Sequence, residues 1–102
     1  MTPSYPNYES VRQELDSVMT QLWGFLTVCG SIEAAVRVGG YREAVTDLWW
    51  TVARERTMDS KTLRDRLQTL ADVCPPEVGH LRQRLTRLHD ELGEARRGTR
   101  TA

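Results

Sequence analysis

Apolar residues recur at alternating spacings of four and three through most of the chain. Val11, Leu15, Val18, Leu22, Phe25, Cys29, Ile32 and Val36 form one run, and Tyr41, Val45, Leu48 and Val52 a second. Leu63, Leu67, Leu70 and Cys74 form a third, and Val78, Leu81, Leu85, Leu88, Leu92 and Ala95 a fourth. A helix turns once in 3.6 residues, so this spacing gathers each run onto one face and leaves polar residues on the other. The pattern predicts an all-α fold: a small bundle of four to five amphipathic helices with coiled-coil-like 4-3 apolar spacing. No alternating strand pattern competes with it.

Local signals divide the chain. Residues 1–8 hold Pro3 and Pro6 without periodicity and read as an extended N-terminal arm, with Tyr5 and Tyr8 available to pin it to the bundle. Residues 9–97 read as a single helical domain and 98–102 as a loose tail. At Gly30-Ser31 two readings stay open. Glycine weakens a helix and serine is a good N-cap, yet Ile32 and Val36 continue the stripe in register. Gly39-Gly40 reads as a C-cap and turn, followed by an element over 41–56. Thr57 to Ser60 form a second turn with Asp59 or Ser60 as N-cap, leading into a helix over 61–73. Cys74 precedes Pro75-Pro76, where proline disfavours helix in the preceding residue. Pro76 suits the first turn of the last helix, and Glu77 suits its positive end.

The stretch Gly39-Gly40-Tyr41-Arg42-Glu43-Ala44-Val45 resembles the turn and second-helix start of a tetratricopeptide repeat, with Leu48 where such a repeat places its aromatic residue. Ser31 and Ile32 stand in place of the repeat's Leu-Gly pair, and no second copy follows at a period of about 34 residues. What the resemblance implies is a helical hairpin turn at the two glycines.

At 102 residues the chain holds one domain and a thin core. Fourteen basic residues balance fourteen acidic ones, which disfavours a globally basic nucleic-acid binder. The balance conceals an asymmetry. Residues 1–50 carry three Arg against six acids, a net of −3, and residues 51–102 carry eleven basic residues against eight acids, a net of +3. Either the halves pair with each other or the C-terminal half presents a basic surface. All the basic residues except Lys61 are Arg. A GC-rich coding sequence produces this bias, and so does selection for bidentate contacts to phosphate or carboxylate.

Cys29 and Cys74 both fall on apolar stripes and are expected to be buried, reduced thiols. The apolar stretch 18–29 lacks a basic start and is too short to span a membrane, so the expected location is the cytoplasm. His80 and His89 are nine residues apart and cannot share a metal within one helix. No cofactor, metal or small-molecule substrate is indicated, and no base and nucleophile stand out for an enzyme.

Two sets of residues carry the functional expectations. Trp49 and Trp50 are adjacent, hence about 100° apart on a helix. Trp49 is expected inside and Trp50 outside. Trp23 lies off the main stripe with Met19 and Leu26. Trp23, Trp50, Met19 and Leu26 therefore form a candidate partner interface, because exposed tryptophan is a frequent hot-spot residue. The function expected is a non-enzymatic helical protein-interaction module, self-associating as a homodimer. The alternative is a nucleic-acid binder, duplex RNA above all, in which Arg82, Arg84, Arg87, Arg96 and Arg97 on the last helix contact phosphates. Interspersed acids weaken that stripe. No Phe, Tyr or Trp follows Trp50, so stacking on single strands has no support in this half.

Overall fold

The computed structural model describes residues 5–101, with 94–101 described as helix backbone only. Four α-helices follow in order: α1 (Tyr8–Val28), α2 (Ile32–Trp50), α3 (Ser60–Asp72) and α4 (His80–Thr101). A π-turn over Thr51–Glu55 prolongs α2, and a 3-10 turn over Pro76–Val78 leads into α4. No strand occurs among the described residues. The arm residues 1–4 lie outside the description, and the backbone of α4 continues past the expected end at Arg97.

Side-chain caps begin three of the helices. Asn7 accepts from the Ser10 N–H, Ser31 from Ala34 and Asp59 from Thr62. Each satisfies one of the amide donors that a helix start leaves unpaired. Arg56, at φ 48°, ends the π-turn in the left-handed region and turns the chain toward α3.

α1 packs on α2 and α3 on α4, and the two hairpins join through α1–α4 and α2–α3 contacts. One core fills the space between them. It takes Val11, Leu15, Val18 and Leu22 from α1, and Val38, Tyr41, Val45 and Leu48 from α2. Leu63, Leu67 and Leu70 come from α3, and Leu81, Leu85 and Leu88 from α4. Burying a leucine contributes about 1.5–3 kcal/mol, so sharing the stripes stabilises a chain too small for separate cores. Polar links reinforce the seam. The Tyr41 hydroxyl donates to the Leu70 carbonyl at 2.6 Å, and the Tyr8 hydroxyl to that of Met58 at 2.8 Å. Tyr8 thus pins the start of α1, while Tyr5 is exposed.

The turn expected at Gly39-Gly40 is absent. Both glycines lie inside α2, and the chain reverses at Cys29–Ser31 instead. The buried positions Ala34, Val38, Tyr41, Val45, Leu48 and Val52 keep the four–three spacing across the glycine pair. A helical glycine costs about 1 kcal/mol relative to alanine, less than the gain from burying Val38 and Tyr41 on either side. The resemblance to a repeat hairpin turn fails at the same place. Ile32 and Val36, expected in the core, are 85% and 69% exposed. The extended residues at the break let α2 start in a new phase, in which Ala34 and Val38 face inward. Trp49 is half-buried and packed against the core rather than enclosed. Cys74 is buried as expected, whereas Cys29 is half-buried, its thiol donating to the Ser31 carbonyl.

The charge asymmetry is met within the chain. Arg84 pairs with Glu14 at 2.7 Å, Arg66 with Asp47 at 3.7 Å and Arg56 with Glu9 at 3.8 Å. In each pair an arginine of the second half meets an acid of the first.

Two stability predictions follow from this packing. Leu67→Ala and Leu85→Ala should each cost about 2–5 kcal/mol in chemical denaturation, because both side chains are fully enclosed. Gly39→Ala should raise stability by up to about 1 kcal/mol, since its φ is not positive and an added Cβ meets open space. A turn glycine would give the opposite sign.

Candidate functional site

Among the described residues, most of the large apolar side chains left in water belong to the first hairpin, with Tyr5 and Val73 outside it. Trp23 is 57% exposed, Trp50 49% and Val28 82%, beside the exposed Ile32 and Val36. The expected interface residues divide. Trp23 and Trp50 present their rings outward, while Met19 and Leu26 are partly buried and pack against the core. Met19, Trp23 and Leu26 recur at i, i+4 and i+7, so they share the flank of α1 next to α2.

Arginines of α2 and its π-turn cover both exposed tryptophans. The Arg42 guanidinium lies 5.3 Å from the Trp23 ring centroid, and that of Arg54 lies 5.4 Å from Trp50. Both distances fall within cation–π range. Trp49 meets Trp50 edge to face, with centroids 4.9 Å apart. Arg42 and Trp49 are seven residues apart and share the flank of α2 that faces α1. Arg42 Nε and Trp49 Nε1 are both buried without an acceptor. The outer α1–α2 seam therefore carries aromatic surface and two arginines, with two unpaired N–H donors buried beneath it. The tryptophans were legible from the sequence by their position off the stripe. The arginine caps were not, because Arg42 reaches across to a different helix.

The second expected set is dispersed by its contacts. Arg82 donates from Nε to the Ala71 carbonyl at 2.9 Å and closes the C-terminal end of α3. Arg84 donates to Glu14 and Ser17 of α1. Arg87 is exposed, and no carboxylate lies within ion-pairing distance of it among the described residues. The side chains of Arg96 and Arg97, like that of the stripe residue Ala95, lie outside the described residues. His80 approaches Gln21 at 3.1 Å and His89 approaches Asp90 at 3.0 Å. No group of three or more metal-ligating side chains occurs among the described residues. None of the helices, over those residues, is long and apolar enough to cross a membrane.

One feature escaped the sequence altogether. An open groove of about 460 Å³ runs between α2 and the connection from α3 to α4. Gly40, Tyr41, Ala44 and Cys74 line it, with Val73 and Pro76 on the far wall and Arg37 on its rim. Arg37 is held by Glu77, donating from Nε at 3.0 Å and from Nη2 at 2.5 Å to one carboxylate oxygen. Only the fold brings these segments together. Burial raises the Tyr41 hydroxyl well above the ordinary tyrosine value, so it remains a donor to Leu70.

No family model matches the chain, and neither does any curated protein or solved structure.

The Arg37 hydrogen bond holds the Glu77 carboxyl below its ordinary pKa. The folded value thus lies under the unfolded one. The pair stabilises the fold above the ordinary glutamate range, and that contribution fades as pH falls through the lowered value. Glu77→Gln should therefore be less stable than the parent near neutral pH. The difference should shrink as the pH drops below roughly 4, checked by thermal melts across pH.

Proposed function

We propose that this protein is a non-enzymatic helical interaction module of the cytoplasm, which works by docking proteins, a second copy of itself among them, on the outer face of the α1–α2 hairpin. One observation carries the reading. Five of the large apolar side chains left exposed, Trp23, Val28, Ile32, Val36 and Trp50, belong to that hairpin. A small domain with a thin core gains most from burying such side chains, and interfaces are enriched in tryptophan and arginine.

Nucleic-acid binding through the C-terminal half has less behind it. Arg82 and Arg84 already donate to carbonyls and to Glu14, which leaves Arg87 as the described arginine of that set open to a phosphate.

Sedimentation across micromolar concentrations tests the self-association. The mass of the parent should rise above that of a monomer with concentration. Trp50→Ala and Trp23→Ala should each weaken association by ten-fold or more without loss of helicity. A monomer mass at all concentrations would remove the second copy as a partner. Association untouched by both substitutions would remove this face as the docking surface.

A further inference from the structure

We infer that the outer α1–α2 seam takes an acidic, apolar segment of another protein, with carboxylates seated against Arg42 and Arg54 and apolar side chains against Trp23 and Trp50. The inference rests on the docking reading above and names the chemistry of the occupant.

Charge pairing carries it. Arg12, Arg37, Arg56, Arg66 and Arg84 each meet a carboxylate within the chain. Arg82 is satisfied by backbone carbonyls. Arg64 and Arg87 lack a carboxylate within ion-pairing distance among the described residues, as Arg42 and Arg54 do, but the latter two are set apart by the rings beneath them. Each lies over an exposed tryptophan, and among the described residues neither has a carboxylate within ion-pairing distance. An arginine stacked on an aromatic ring keeps its N–H edge free, and that edge matches a carboxylate in bidentate geometry.

The spacing defines the occupant further. Arg42 and Arg54 stand twelve residues apart along α2 and its π-turn, a rise of at most roughly 18 Å. That length is matched by about three turns of helix, so the segment is an amphipathic one with carboxylates at both ends and apolar residues between them. Trp49 Nε1 and Arg42 Nε are buried within the same seam without acceptors, so the contacts offered to a partner are the outer N–H groups of the two guanidiniums and the two exposed rings. A cationic segment would meet two uncovered guanidinium groups and be repelled.

The probe is a synthetic amphipathic peptide of four turns built from Glu, Leu and Ala, without tryptophan, titrated while the protein's tryptophan fluorescence is followed. Two companions carry Gln or Lys in place of Glu. The glutamate peptide should bind at least ten-fold more tightly than the glutamine one, and more weakly as salt rises. The lysine peptide should give no change. Arg42→Glu and Arg54→Glu should each lower affinity for the glutamate peptide at least ten-fold, while Lys61→Glu, on the exposed start of α3, should leave it unchanged. Circular dichroism checks that every variant stays folded. Equal binding of the glutamate and glutamine peptides overturns the inference, as does binding indifferent to both arginine substitutions. If Trp50→Ala abolishes self-association while no peptide binds, the occupant is a second copy, and the docking reading survives without the acidic partner. If neither association nor peptide binding occurs, both are lost.

Discussion

The reversal at Cys29–Ser31 is the constraint on which the rest of the structure depends. Cys29 and Ser31 adopt extended backbone, and the Ser31 side chain caps the new helix by accepting from Ala34. That break sets the rotational phase of α2. Ala34, Val38, Tyr41, Val45 and Leu48 then face the core, and the Tyr41 hydroxyl comes within 2.6 Å of the Leu70 carbonyl. Had α1 run on through residue 36 in register, Ile32 and Val36 would have been inside and this link to α3 lost. The same phase turns Ile32, Val36 and Trp50 outward. One short break therefore decides both the core and the surface available to a partner.

The chain answers its uneven charge internally. Arg66 and Arg84 of the second hairpin meet Asp47 and Glu14 of the first, and Arg56 of the connection between the hairpins meets Glu9. Pairs this exposed contribute little stability one by one, but they favour one relative placement of the hairpins over others. Their wider effect is on what remains. With these arginines occupied, the free cationic edges described on the first hairpin are those of Arg42 and Arg54, each lying on a tryptophan. Packing makes a further selection at the far end of the bundle. Gly93 is buried where the Arg64 guanidinium lies against α4, so close that an added Cβ would stand 3.1 Å from it.

Much was legible in the sequence by itself. The four–three spacing within α1, α3 and α4 predicted their buried faces. Ser31 and either Asp59 or Ser60 were readable as cap candidates because short polar side chains satisfy free amides at helix starts, and the fold selects Ser31 and Asp59. Trp23 and Trp50 were readable as exposed because each lies off its helix's apolar stripe. All of these are properties of one helix and its immediate neighbours in sequence. What the tertiary structure alone decided involves a second helix. The glycine pair looked like a turn, and only burial of Val38 and Tyr41 against the other helices keeps α2 continuous through it. Arg82 and Arg84 looked like free surface charge until α3 and α1 brought carbonyls and Glu14 to them. The groove beside Gly40 and the arginine over Trp23 likewise come from segments distant in sequence. Periodicity states which face of a helix is apolar. Where the chain turns, and which side chains meet across the turn, depends on the balance of burial among all four helices.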